Sequence, residues 1–288
     1  MFKTILLPAD GTAADDASWQ AALAVARQFG GHLECLPLRY GVTELLSMAP
    51  VSDMNLPMLA ETVVEQLERQ ASELVVQVKR EFDKRCIREQ VPLVDAPGAA
   101  HAVSAHCHAT AVTAGEFVGI ARSRDLTVLP VPQDEDDLIN SVTQSCLFGS
   151  GRPLLMVPAE RPVVVGATAV IGWNNSPEAA RALGAAMPMI CAAERVLVVS
   201  IGDEADESPW ALEQVVRGLA WHGLTAERRI VRPAGRLAPE AFFQFARDEG
   251  AGFAVMGGYG HSRLREFVLG GFTRHALAEA SVPVILMH

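Results

Sequence analysis

Twice along this chain a short apolar run ends in a polar turn and passes at once into an alanine-rich stretch whose apolar residues recur at helical spacing. Residues 4–8 run into Asp10-Gly11-Thr12 and then a periodic stretch over 16–29 that stops at Gly30-Gly31; residues 169–173 run into Asn174-Asn175-Ser176 and then the stretch 177–189. Each unit is followed by a second apolar run, 32–40 in the first half and 196–201 in the second. Strand, helix, strand in that order implies a parallel pair joined by a right-handed crossover. The architecture is therefore α/β, and it is written twice.

The remaining segments extend the same reading. Residues 57–88 are rich in Glu, Gln, Lys, Leu and Val with no Pro or Gly after the start, which predicts one long amphipathic helix. Residues 111–122 and 135–147 read as helices, and 126–131 and 153–157 as strands. In the second half Ser176 is placed to cap a helix that has Pro177 at its first position. Helices over 209–223 and 239–249, strands over 226–231 and 253–256, a short helix over 272–280 and a closing strand over 282–287 follow. Gly151-Arg152-Pro153-Leu154-Leu155-Met156 near the end of one half matches Ser281-Val282-Pro283-Val284-Ile285-Leu286 near the end of the other. An internal duplication accounts for this, with units over 1–158 and 163–288 joined near 159–162. Its first copy carries a longer middle section, 41–110.

A length of 288 residues agrees with two units, each able to bury its own core. With half of its residues hydrophobic, a fifth charged and a net charge of -10, the chain reads as globular and lacks the Lys/Arg stripe a non-specific nucleic-acid binder needs. The longest nearly apolar run, 163–173, is about half what a bilayer requires, and the N-terminus has no signal-peptide core. Five scattered cysteines without a C-x-x-C pair suit a reducing compartment, so a cytoplasmic location with no membrane contact is expected.

The segment richest in chemistry runs Met256-Gly257-Gly258-Tyr259-Gly260-His261-Ser262-Arg263-Leu264-Arg265, then on to Leu269-Gly270-Gly271-Phe272-Thr273. It starts where an apolar strand ends, and in open parallel sheets ligands sit at that end. Gly257 and Gly260 can turn bare backbone N–H groups towards an anion. Gly270 precedes a helix whose first N–H groups, from Gly271, Phe272 and Thr273, together with the Thr273 hydroxyl and the helix dipole, favour phosphate. Arg263 could reach a polyphosphate as a bidentate donor, with His261 and Arg265 behind it; loop charges equally suit solvent.

Spaced as G-x2-G-x9-G, with Gly257, Gly260 and Gly270 at the three positions, the segment resembles the universal stress protein family, whose ATP-binding members follow the third glycine with Ser or Thr. Here Gly271 takes that place and Thr273 supplies a hydroxyl two residues later. The resemblance implies tandem open parallel-sheet domains of the adenine-nucleotide alpha-hydrolase-like, Rossmann-like class, binding ATP or another adenine nucleotide in the second unit. It also implies an acid at the end of the first strand and a backbone contact to the base at the end of the second; those positions are Asn174 and Ile201. Asn174 brings no charge to a divalent cation, which leaves Mg2+ coordination there unsupported. Gly172 and Trp173 flank it, and Trp173 could lie against an adenine or fill the sheet edge.

In the first unit the matching position reads Pro130-Val131-Pro132-Gln133-Asp134-Glu135-Asp136-Asp137, without the glycines and with carboxylates that repel a triphosphate. Asp10 keeps the first-strand acid and Gly149-Ser150 precedes the last strand. This unit reads as a structural or regulatory partner. His106 and His108 would share one face of a strand, near His101 and Cys107, and could hold a metal; histidines on a surface segment explain them equally.

No nucleophile elbow, Walker loop, H-E-x-x-H or dinucleotide fingerprint is present. The expectation is a nucleotide-binding stress-response or regulatory protein with slow ATP hydrolysis at most; the alternative is an interaction scaffold of the same fold without nucleotide. The family resemblance also implies that the strands at 154–157 and 284–287 pair with each other, either within the chain or across a homodimer.

Overall fold

In the computed structural model of the chain, residues 1–12, 14–41, 56–96, 102–132, 138–159, 162–202, 209–258 and 280–288 are described, with backbone alone for 14, 56–63 and 209. The first half contains β1 (Thr4–Ala9), α1 (Ala14–Phe29), β2 (His32–Pro37), α2 (Leu56–Arg88), β3 (Ser104–Cys107), α3 (Ala114–Ala121), β4 (Leu126–Pro130), α4 (Leu138–Gly149) and β5 (Leu154–Val157). The second contains β6 (Thr168–Gly172), α5 (Pro177–Ile190), β7 (Arg195–Ile201), α6 (Pro209–Trp221), β8 (Ala226–Val231), α7 (Ala238–Asp248), β9 (Ala251–Gly257) and β10 (Val284–Met287).

All ten strands lie in one sheet, in the order β3-β2-β1-β4-β5-β10-β9-β6-β7-β8. Read from its first strand, each half has the same internal order, 3-2-1-4-5, with parallel neighbours throughout. The two closing strands meet antiparallel, Val284 opposite Met156, Ile285 opposite Leu155 and Leu286 opposite Leu154. The pairing expected of the closing strands thus occurs inside one chain.

Helices cover both faces, as a mostly parallel sheet requires. On one face Trp19 of α1, Phe82 of α2, Met189 of α5 and Leu219 of α6 pack on Ile5, Leu33, Ile171 and Val198. On the other, Phe117 of α3, Val142 of α4 and Phe243 of α7 pack on Leu6, Leu36, Val170 and Leu197. Strands buried on two sides must be apolar at nearly every position, which is why β4 and β5 are buried along their whole length. The helix starts follow local chemistry: Ser176 Oγ accepts from Ala179 N–H at 3.1 Å, and Thr113 forms a capping box with Glu116.

Several differences from the sequence reading are physical. β3 lies in the middle section, where the sequence names a strand only in reading His106 and His108; its four residues, Ser-Ala-His-Cys, alternate weakly and pair with β2. The helix read at 111–122 begins at Ala114, where Thr113 caps it. The helix read at 135–147 is described only from Leu138 and runs on to Gly149. The helix read at 272–280 falls almost wholly outside the described residues.

The shared sheet makes a thermodynamic claim. Ile285 is fully buried in β10, so Ile285→Ala should cost about 2–5 kcal/mol. Because β10 joins both halves, urea unfolding followed at Trp19 and at Trp173, in a background with Trp210 and Trp221 replaced by Phe, should show the two signals shifting together. Separate transitions would mean that the halves fold independently.

Candidate functional site

The strand order reverses between β6 and its neighbours: β7 lies on one side and β9 on the other. At such a switch point the loops leaving two adjacent strands part and leave a crevice at the carboxyl ends. Gly172 ends β6, Ile201 ends β7 and Gly257 ends β9, so three of the sequence-derived positions stand on adjacent strands at this edge.

Gly257 is required by packing. A Cβ there would lie 2.5 Å from Ala179 N and 2.6 Å from Glu178 C, backbone atoms of the first turn of α5. Bare backbone lets the N-terminus of α5 rest directly on the end of β9. That sets the positive end of a helix dipole beside the start of the glycine loop. Gly258 N–H is already used, donating to Met287 O at 2.8 Å, and Gly258 O lies 3.1 Å from His288 Nδ1. The His288 ring also meets Phe148 of α4 edge to face, with centroids 5.1 Å apart, so the first half braces this edge of the second.

Gly172 has less room to spare than sequence alone indicates: a Cβ there would come within 3.1 Å of the Phe242 ring. Trp173 donates its backbone N–H to Val199 O at 2.8 Å, and its ring packs against the apolar cluster on the α5 and α6 face, with a buried Nε1 that has no hydrogen-bond partner among the described residues. Asn174 is exposed, and its Oδ1 accepts from Ser176 N–H at 3.3 Å in a short turn ahead of α5. Ile201 is half-buried against the opposite apolar cluster. Glu178, in the first turn of α5, is held below the usual carboxylate range by its own backbone N–H and by the nearby Arg181 and His288. Gly260, His261, Arg263, Arg265, Gly270, Gly271, Phe272 and Thr273 lie outside the described residues.

In the first half the corresponding edge is covered. Asp10 follows β1, its Oδ1 accepting from Thr12 N–H at 2.9 Å, and Gly11 turns with φ of 82°. Leu74 and Gln77 of α2 press on that turn: a Cβ on Gly11 would lie 3.1 Å from Leu74 Cδ1, and Gln77 Nε2 donates to Gly11 O at 3.4 Å. The long helix that distinguishes this half therefore lies across the turn that follows β1. Beneath it, Asp15 of α1 accepts from Gly11 N–H through Oδ2, while its Oδ1 is buried without a partner. Burial, then the charge of Asp10, raise this carboxyl to about 7. The acidic run at 134–137 lies outside the described residues, apart from its flanking strand.

The histidines form a polar cluster on β2 and β3. His106 and His108 share one face as expected, their rings edge to face at 4.9 Å, but each is engaged by a carboxylate: His106 Nδ1 lies 3.0 Å from Asp95 Oδ1, and His108 Nε2 lies 3.3 Å from Glu34 Oε2. Arg124 grips Glu34 through two bonds of 2.7 and 2.8 Å. Burial alone would raise the Glu34 carboxyl; the bonds and charge of Arg124, aided by His108, more than offset this and hold it low. Among the described residues no group of three or more His, Cys, Asp or Glu is arranged to hold a metal ion, and His101 lies outside them. The missed residues had a signal: Glu34 is a charge set between the apolar Leu33 and Cys35 of a strand, and Asp15 faces inward on an alanine-rich helix.

Two outcomes check this geometry. Gly257→Ala should destabilise the chain by about 1–3 kcal/mol in chemical denaturation, because the obstructing atoms are backbone. For Asp15 the folded carboxyl binds its proton more tightly than the unfolded one, so its contribution is fully present in acid and is lost as pH rises through about 7. Asp15→Asn should therefore gain stability relative to the parent between pH 5 and pH 8, on the order of a few kcal/mol. A difference that stays constant across that range would rule out the buried proton.

No family model matches the sequence, and no curated protein matches it. Among solved structures, a universal stress protein from Archaeoglobus fulgidus DSM 4304 superposes with a TM-score of 0.68 at 13% identity, covering 99% of this chain and 97% of that one. A functionally unknown protein from Pseudomonas aeruginosa PAO1 superposes with a TM-score of 0.52 at 12% identity, covering 99% and 92%. The likeness spans both halves, and the described residues have the fold of a universal stress protein.

Proposed function

We propose that this chain is a stress-response or regulatory protein that binds ATP or another adenine nucleotide at the carboxyl edge of the second half, with residues 163–288 as the binding unit and 1–158 as its partner. The observation that carries the reading is the seating of α5 on Gly257, which brings a helix N-terminus and the start of a G-x2-G-x9-G loop together at the β6/β9 switch point. Gly172, Trp173, Asn174 and Ile201 belong to the same edge and would meet the nucleoside. Gly260, Arg263, Gly270, Gly271, Phe272 and Thr273 would hold the phosphates. The fit is good for a phosphate anion and poor for a cation: Asn174 is neutral, and its oxygen already accepts from Ser176. Mg2+ would enter with the nucleotide's own phosphates rather than through this side chain.

Occupancy is limited to one nucleotide per chain, since Leu74 and Gln77 cover the equivalent turn in the first half. All five cysteines are free thiols, and no described helix is long and apolar enough to cross a membrane, which suits a protein of the reducing cytoplasm. Chromatography of small molecules released on denaturation, with ATP titration in the presence and absence of magnesium, should give about one adenine nucleotide per chain. Gly260→Val should abolish it while the circular dichroism is unchanged. A folded parent protein that binds nothing at millimolar ATP would leave the scaffold function instead.

A further inference from the structure

Three of the five thiols are gathered under α2. Cys35 on β2 and Cys107 on β3 stand directly opposite each other in the parallel ladder, and Cys86 belongs to the end of α2 that packs above them. All three are buried and share one apolar cluster with Val78 and Phe82. Neighbouring strands lie about 4.8 Å apart, so residues in register across them hold their Cα atoms within the window of about 4.4–6.8 Å that a disulfide spans. Both side chains leave the sheet on the face that α2 covers. The register therefore brings the two thiols side by side on one face.

The pair is also chemically unequal. The neighbouring Cys107 thiol, with burial behind it, pushes Cys35 well above the ordinary thiol range, while the Cys107 thiol itself donates to His108 O at 3.8 Å. The same interaction brings Cys107 below that range, with the charge of Lys79 assisting. Cys86 is different again: burial, then the charge of Asp83, push it up to about 12, which keeps it protonated. A thiolate is the nucleophile in sulfur chemistry, and Cys107 is the member of the trio whose thiol is shifted in that direction. It closes β3, the outermost strand of the sheet.

We propose that Cys35 and Cys107 form a reversible cross-strand disulfide when the chain meets a peroxide, which makes the first half an oxidation-responsive unit. The Cys107 sulfur attacks one peroxide oxygen, the O–O bond breaks, and the departing hydroxide leaves as water with the thiol proton; Cys107 is then a sulfenic acid. The Cys35 sulfur attacks that sulfenic sulfur, the S–S bond forms, the S–O bond breaks, and a second water leaves with the Cys35 proton. The two sulfurs together lose two electrons, which reduce one peroxide to two waters, and a dithiol reductant reverses the step. The bond sets the sulfurs about 2.05 Å apart and so changes the floor on which Cys86 and Phe82 rest. None of this depends on the nucleotide reading.

The test uses the full chain with Cys191→Ser, which removes the one exposed thiol. After treatment with hydrogen peroxide, the remaining thiols are alkylated in denaturant and the chain is digested without reductant and mapped by mass spectrometry. The expected product is a linked pair of peptides joining Cys35 to Cys107, formed while the far-ultraviolet circular dichroism is unchanged and returned to free thiols by dithiothreitol. Adding Cys86→Ser should leave the yield unaltered. Cys35→Ser should leave Cys107 as a sulfenic acid that dimedone traps; because the map of the chain with Cys35 intact stands by itself, the proposal is decided even where that variant does not fold. Cys35 and Cys107 still fully alkylated after peroxide, a link made through Cys86 instead, or a link that appears only as the native circular dichroism is lost overturns it.

Discussion

Everything in this molecule hangs on the antiparallel meeting of β5 and β10. Each half by itself would end in an apolar strand, Leu154–Val157 or Val284–Met287, with a row of unpaired N–H and C=O groups on one side. Three pairs of residues in register close both edges at once and convert two five-stranded sheets into one of ten strands. The outer edges are handled differently. Leu93 bridges to Ala105, and Val94 N–H donates to Ala105 O, which covers part of β3. β8 remains half-exposed and carries Glu227, Arg228 and Arg229, charges that discourage further strand addition.

Within that frame the two halves have diverged at the same place in the fold. In the second half a glycine at the end of β9 admits the start of α5, and the sequence that follows is rich in glycine. In the first, a 33-residue helix crosses the equivalent turn and closes it with Leu74 and Gln77. The buried Asp15 carboxyl is a by-product of that closure: α2 excludes the water that would otherwise solvate it.

Much of the architecture was legible because parallel strands buried on both faces must be nearly uniformly apolar, and because the first helix of the second half announces its start with Ser176 and Pro177. The duplicated Pro-containing approach to β5 and β10 revealed the internal symmetry. What escaped was set by tertiary contact. β3 is only four residues long and depends on β2; the cover over Gly11 comes from residues more than 60 positions away; and Glu34 with Arg124 joins partners 90 residues apart. Cysteines that look scattered at 35, 86 and 107 meet only because β3 pairs with β2 beneath α2. Gly257 was legible as a position that needs glycine, while its immediate reason, the backbone of α5, emerges only once the helix is in place. The part of the candidate site from Gly260 to Thr273 lies outside the described residues, so its geometry rests on the spacing of its glycines.

The antiparallel seam also decides direction. Every other neighbouring pair in the sheet is parallel, so the carboxyl ends of the first half's strands emerge along one border of the sheet and those of the second half along the opposite border. The covered turn beside Asp15 and the turn beside Gly257 therefore look away from each other. Among the described residues, the backbone ladder of β5 and β10 and contacts such as Phe148 on His288 join the two borders.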